Sequence, residues 1–271
     1  MDFGLEGKTA VVTGASQGIG REVARALHRE GIALTIVGRH AATLEQAMAH
    51  ISAGPDAAAR RPAQAAPIYL VEADLGLQAE VERAAREAER RLDHIDFLVN
   101  NAAQVPSVEF FEMSDRAIEE AVAVKLLGYV RMVHALAPHM KQRGGGAIVN
   151  IVGSTARTPT PEFIIGSMIN AALVNFTRGI ARELARHHVR VNSISPGWTM
   201  TERQREVFER QAAARGVSTT AFTQGEARKI PAQHLVEMHE IATMTLLLLS
   251  DLVPSMIGEE LILDGGLTPS I

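Results

Sequence analysis

The residues with the clearest chemical purpose are Thr13-Gly14-Ala15-Ser16-Gln17-Gly18-Ile19-Gly20. An apolar run at 9–12 precedes them, and a helical pattern carrying Val23, Ala24 and Leu27 comes after, ending near Gly31. A glycine cluster by itself marks a tight turn. Set between a strand and a helix, it reads as a phosphate cradle. Gly14 permits the turn, Gly18 lets the backbone approach a pyrophosphate, and Gly20 lets helix and strand pack closely. The helix presents free N–H groups and its positive end to the anion, so Ser16, Gln17 and Ile19 are expected at the same ligand.

The rest of the chain supplies the elements that such a turn requires. Strand-like runs are predicted at 33–37, 68–72, 97–100, 147–152, 189–195 and 260–263, with helices at 43–51, 78–92, 115–141, 163–187 and 237–249 between them. Ser114 or Asp115 is the expected N-cap of the long helix that Gly144-Gly145-Gly146 breaks. Strands alternating with helices predict an α/β fold: a Rossmann-type, doubly wound, seven-stranded parallel sheet with helices on both faces and its ligand crevice at the strand C-termini. The Ala-, Pro- and Arg-rich stretch 52–67 reads as an exposed, mobile loop. The stretch 199–234 reads as polar and irregular, with helical pattern at 202–214. No linker divides residues 1–271, so a single domain is expected.

Composition narrows the function. Of 271 residues, 46% are hydrophobic, enough for a substantial core. A net charge of -4 offers no electrostatic reason to expect nucleic acid or an anionic membrane surface. The longest apolar runs, such as 244–249, are too short to span a bilayer. There is no cysteine, which excludes disulfides, thiolate catalysis and cysteine-ligated metals. Together with an N-terminus that lacks the pattern of a signal peptide, this leads to the expectation of a cytoplasmic protein without a metal site.

Taken together, Thr13 to Gly20, Asp74, Asn100-Asn101-Ala102-Ala103, Pro196-Gly197 followed by Thr201, and the terminal Asp264-Gly265-Gly266 resemble the short-chain dehydrogenase/reductase family over nearly the whole chain. The resemblance implies hydride transfer between a nicotinamide cofactor and a small alcohol or ketone, in a homodimer or homotetramer. It assigns Asp74, with Leu75 beside it, to the adenine, and Asn101, Ala102 and Ala103 to the adenosine ribose. It assigns Pro196, Gly197, Thr199 and Thr201 to the nicotinamide carboxamide, and 199–234 to a substrate lid. Each has a plainer reading: Asp74 as a solvated carboxylate, Asn101 as a tie between strands, Pro-Gly as a turn. At the end of the second strand, Gly38 stands where an enzyme using NAD carries a carboxylate, and Arg39 is next to it. A guanidinium there suits a 2′-phosphate, so NADP is expected over NAD.

The family's catalytic Ser, Tyr and Lys, and its helix Asn, have no counterparts on this alignment. Their positions carry Gly153, Gly166, Asn170 and Lys125. The only tyrosines are Tyr69 and Tyr129, and no lysine lies between Lys141 and Lys229. Ser154 adjoins the serine position. The family's Asn and Lys are thus exchanged, as Lys125 and Asn170, which keeps one ammonium and one amide in a shared cavity beside a void at Gly166. The alternative is that Lys125 reaches solvent and Asn170 is an ordinary helix residue. Lys125, Ser154 and Asn170 are the catalytic candidates, with Asn170 also placed to bond a ribose hydroxyl. The reading is an NADP-dependent oxidoreductase with a reorganised proton relay. Its rivals are a lyase or isomerase using Lys125 as base or Schiff-base nucleophile, and a nucleotide-binding homologue without chemistry.

Overall fold

Seven parallel strands lie in the order β3-β2-β1-β4-β5-β6-β7. They are β1 (Thr9–Thr13), β2 (Ala33–Gly38), β3 (Ile68–Glu72), β4 (Phe97–Asn100), β5 (Gly146–Ile151), β6 (Val189–Pro196) and β7 (Glu260–Leu263). The order reverses between β1 and β4, and that switch point opens the crevice in a doubly wound sheet. The computed structural model describes residues 2–53 and 66–269. The loop expected at 52–67 therefore falls mostly outside the described residues.

Alternate residues of each strand point to opposite faces, and each face buries its own helices. Ala10, Val12, Val99 and Val149 pack with Val23 and Leu27 of α1 (Gly18–Arg29), Leu44 of α2 (Ala41–Ser52) and Ile241 of α9 (Met238–Leu249). Val11, Leu98 and Ile148 pack on the other face, against Ala84 and Ala88 of α3 (Gln78–Leu92), Met132 and Leu136 of α5 (Gly128–Arg143) and Leu184 of α6 (Ile164–Ala185). Strands covered on both sides carry continuous apolar runs rather than alternation, which is why they are legible. Two helical stretches, Asp115–Arg143 and Pro161–Ala185, are long and apolar enough to cross a membrane by length and composition. About half of each apolar window is nevertheless buried inside this fold, at 50% and 44%.

Two features depart from the sequence reading. The expected long helix is interrupted: α4 (Asp115–Ala121), capped by Ser114, passes into a π-helical turn at Val122–Leu127 before α5 begins. Such a turn holds one residue more than an α-helix and so rotates the next helix about its axis, and it recurs at functional sites. The stretch 199–234 is not irregular. It folds into α7 (Glu202–Ala214) and α8 (Thr219–Ala227) around a small core of its own, with Phe208 stacked on Trp198 at 5.4 Å and edge-on to Phe222 at 5.3 Å.

A buried polar chain ties the centre of the sheet to α6. Asn100 Nδ2 donates to Asn150 Oδ1 at 3.0 Å, Asn150 Nδ2 donates to Thr177 Oγ1 at 2.9 Å, and Thr177 Oγ1 donates to the Leu173 carbonyl at 2.8 Å. Such a chain fixes α6 in register against β4 and β5, because a slip would leave buried donors unpaired.

Candidate active site

The glycine turn is held by contacts too close for side chains. A Cβ on Gly14, whose φ is +65°, would lie 2.6 Å from the Ala102 Cα. One on Gly20 would lie 2.3 Å from the Gly14 carbonyl oxygen. Thr13 Oγ1 accepts from the N–H groups of Asn101 and Ala102, and Asn101 Nδ2 donates to the Gly14 carbonyl at 3.0 Å. Asn101 is therefore a tie between the ends of β1 and β4, and Thr13, which opens the motif without a role assigned to it there, is its partner.

A cavity of about 280 Å³ opens above this turn. Gly14, Ser16, Gln17, Gly18, Ile19, Arg39, Leu75, Asn101, Ala102, Ala103 and Thr201 line it, together with Gly38, Ala73, Gln104, Val124, Glu202 and Arg203. Its floor is backbone and small side chains, its rim carries Arg39, and the α1 N-terminus faces into it. These features fit a nucleotide pyrophosphate with a further phosphate near Arg39. Arg39 Nη1 donates to Gln104 Oε1 across the mouth. Gln104, Glu202 and Arg203 escaped the sequence reading because only the fold brings the segment after β4 and the start of α7 to the turn.

The remaining cofactor candidates lie off this lining. Gly20 sits behind the turn. Asp74 is half-buried, and its Oδ1 accepts from the Gly76 N–H at 2.9 Å, while its neighbours Ala73 and Leu75 form the wall. Pro196 ends β6, and Gly197 packs so tightly that a Cβ would lie 2.7 Å from that of Asp264. Thr199 Oγ1 donates to the Gly197 carbonyl at 3.1 Å, and Thr201, which does line the cavity, caps α7 by accepting from the Gln204 N–H at 3.1 Å. Asp264 in turn accepts from the N–H groups of Gly266 and Thr268, which explains the terminal Asp-Gly-Gly as a turn under this segment.

Lys125 sits on the π-helical turn and is 6% exposed. Its Nζ donates to the Val152 carbonyl and to Asn170 Oδ1, both at 2.7 Å. Asn170 Nδ2 donates to Thr155 Oγ1 at 2.8 Å. Lys125 and Asn170 are thus in direct contact. Burial lowers the Lys125 pKa to about 7, and the positive charge of Arg203 acts in the same direction. A neutral amine still carries two N–H groups, enough for both acceptors. None of Lys125, Ser154 or Asn170 lines the cavity; Val124, one residue before, does.

One expectation around this pair needs correction. There is no void at Gly166: the Phe163 ring fills it, and a Cβ on Gly166 would lie 2.0 Å from that ring. The hydroxyl that reaches Asn170 belongs to Thr155, one residue past Ser154, which is buried in the short turn after β5. Gly153 cannot carry a side chain unchanged, because its Cβ would lie 2.6 Å from Asn170 Nδ2. Tyr129 offers no accessible phenol. Its hydroxyl is buried and donates to the Ile151 carbonyl at 2.8 Å, and burial pushes its ionisation far above the ordinary range. Among the described residues, no group of His, Cys, Asp and Glu has the arrangement of a metal site.

A doubly wound sheet with a glycine cradle at its switch point defines a dinucleotide-binding α/β protein. This chain belongs to the short-chain dehydrogenase/reductase family, and the family model described as enoyl-(acyl carrier protein) reductase matches residues 14–268. It is 31% identical over 268 residues to 2,3-dihydro-2,3-dihydroxybenzoate dehydrogenase of Bacillus subtilis, covering 98% of this chain and 97% of that one. The NADPH-dependent reductase BacG of the same organism is 28% identical over 264 residues, covering 97% and 99%. L-sorbose reductase from Gluconobacter frateurii, solved with NADPH and L-sorbose, superposes with a TM-score of 0.92 over 100% of both chains at 26% identity.

Proposed function

We propose that this protein is an NADP(H)-dependent oxidoreductase acting on a small carbonyl or alcohol substrate, with Lys125 and Asn170 in place of the family's usual proton relay. The observation that carries the reading is the cavity over the glycine turn, with Arg39 at its rim and no carboxylate at Gly38. The similarity to reductases named for NADPH supports it. A bound nicotinamide would supply or accept the hydride. The chain's own task is to hold the pyrophosphate on the N–H groups at Gly18 and Ile19, to pair Arg39 with the 2′-phosphate, and to manage one proton. Lys125 Nζ suits that last role, since a group with a pKa near the working pH both gives and takes a proton readily. To reach a substrate oxygen it must exchange one of its two present acceptors. By analogy with the family, the protein works as a homodimer or tetramer, which a monomer mass in light scattering would refute.

The test is a titration with NADPH and NADH followed by turnover over a panel of ketones and sugars. NADPH is expected to bind at least about tenfold more tightly, the worth of one charge-assisted contact, and Arg39→Ala to remove most of that preference. Equal affinities in the unmutated protein would refute the 2′-phosphate assignment.

A second reading rests on the neutral fraction of Lys125. A buried amine with a pKa near 7 is nucleophilic and can form a Schiff base with a carbonyl. Borohydride trapping of a carbonyl compound on Lys125 in the absence of nucleotide would favour it. Nucleotide binding with neither turnover nor trapping would favour a homologue without chemistry.

A further inference from the structure

The glycine turn carries an anion from its own chain. Gly18 opens α1 with φ at +56°, and its N–H donates to Glu202 Oε2 at 3.0 Å. The other carboxylate oxygen takes the guanidinium of Arg21, on the first turn of the same helix. Glu202 is the first residue of α7, and a Cβ on Gly18 would face Thr201 at 3.3 Å and Glu202 Oε2 at 3.7 Å. The next residue, Arg203, reaches the other way and donates to the Val105 carbonyl. Two neighbouring side chains thus hook the start of α7 to the glycine turn on one side and to the Val105 carbonyl on the other.

We propose that Glu202 is a built-in competitor for the cofactor: its carboxylate holds the phosphate-binding N–H of Gly18 in the nucleotide-free protein and must leave when a pyrophosphate arrives. This rests on the nucleotide reading above. The physical argument is charge and place. A helix N-terminus with an adjacent arginine attracts one anionic group. A carboxylate and a pyrophosphate cannot share Gly18 N–H and Arg21 without like-charge repulsion in a half-enclosed site. Burial works against the charged carboxylate, but its own backbone N–H, Arg21 and the Gly18 N–H outweigh that and hold its pKa below the ordinary value, so at neutral pH the competitor is charged. The α7–α8 unit moves as a body, because Trp198, Phe208 and Phe222 give it a core separate from the sheet. Nucleotide entry is therefore coupled to release of the segment that roofs the site, and part of the intrinsic affinity goes into breaking the hook.

The experiment compares wild type, Glu202→Gln and Glu202→Ala in titrations with NADPH and with adenosine 2′-monophosphate, which carries the Arg39-directed phosphate but no pyrophosphate. Both variants are expected to bind NADPH about tenfold more tightly, the equivalent of one charge-assisted contact no longer broken. Affinity for adenosine 2′-monophosphate should stay the same. Hydrogen exchange in 202–227 should be faster in the ligand-free variants than in ligand-free wild type. NADPH affinity unchanged or weakened in both variants would overturn the competitor while leaving the cofactor reading intact. Folded proteins that bind NADPH in no form would overturn both.

Discussion

Lys125 Nζ donates to Asn170 Oδ1 at 2.7 Å, and the two side chains are buried together at 6% and 2% exposure. One comes from a π-helical turn and the other from α6, 45 residues later in the chain. Thr155 fixes the amide so that its oxygen, not its nitrogen, faces the lysine. This arrangement accepts a neutral or a charged amine, and burial brings the exchange between them to about pH 7.

That titration has a consequence for stability. The folded-state pKa lies below the ordinary lysine value of 10.5. Between about pH 7 and 10.5 the unfolded chain binds a proton at this side chain that the folded one has released, so the group's contribution to stability rises with pH across that window. Below pH 7 both states hold the proton and the contribution is level. Urea unfolding midpoints from pH 6 to 10.5, compared with those of Lys125→Met, are expected to show this rise in wild type and its loss in the variant. Parallel curves would contradict a neutral lysine in the folded protein.

Placing a tyrosine at Gly166 is expected to fail by steric conflict. Gly166→Tyr drives a side chain into the Phe163 ring, an overpacking that typically costs roughly 1–3 kcal/mol. Phe163→Ala in the same chain should recover much of it, so a double-mutant cycle should show strong positive rescue. Additive losses would mean that the two sites do not share the space.

The α7–α8 unit should loosen on its own. Phe208 is fully buried between Trp198 and Phe222, and a Phe→Ala change in such a core typically costs about 3–5 kcal/mol. In Phe208→Ala, amides of 202–227 are expected to lose protection while those of β1, β4 and β5 keep theirs. Uniform loss across the sheet, measured by hydrogen exchange, would show that the α7–α8 unit and the sheet unfold as one.

The sheet and the phosphate turn were readable from the chain alone. Parallel strands buried on both faces leave apolar runs, helices leave a 3.6-residue period, and the turn needs glycines at Gly14 and Gly20 because backbone and Asn101 come within 3 Å of where their side chains would be. These are local constraints, and a local constraint writes itself into neighbouring residues. The resemblance left two readings open, a shared cavity for Lys125 and Asn170 or a lysine in solvent, and the geometry of their contact was not legible. A π-helical turn leaves no compositional mark, and whether a lysine reaches solvent or a buried carbonyl depends on which helix packs beside it. The Phe163 ring at Gly166, the Thr155 hydroxyl on Asn170, the helical 202–227 segment with its aromatic core, and Glu202 on the Gly18 N–H were settled only by tertiary structure. Each is a meeting of side chains whose neighbours are chosen by packing, and packing joins residues that sequence order keeps apart.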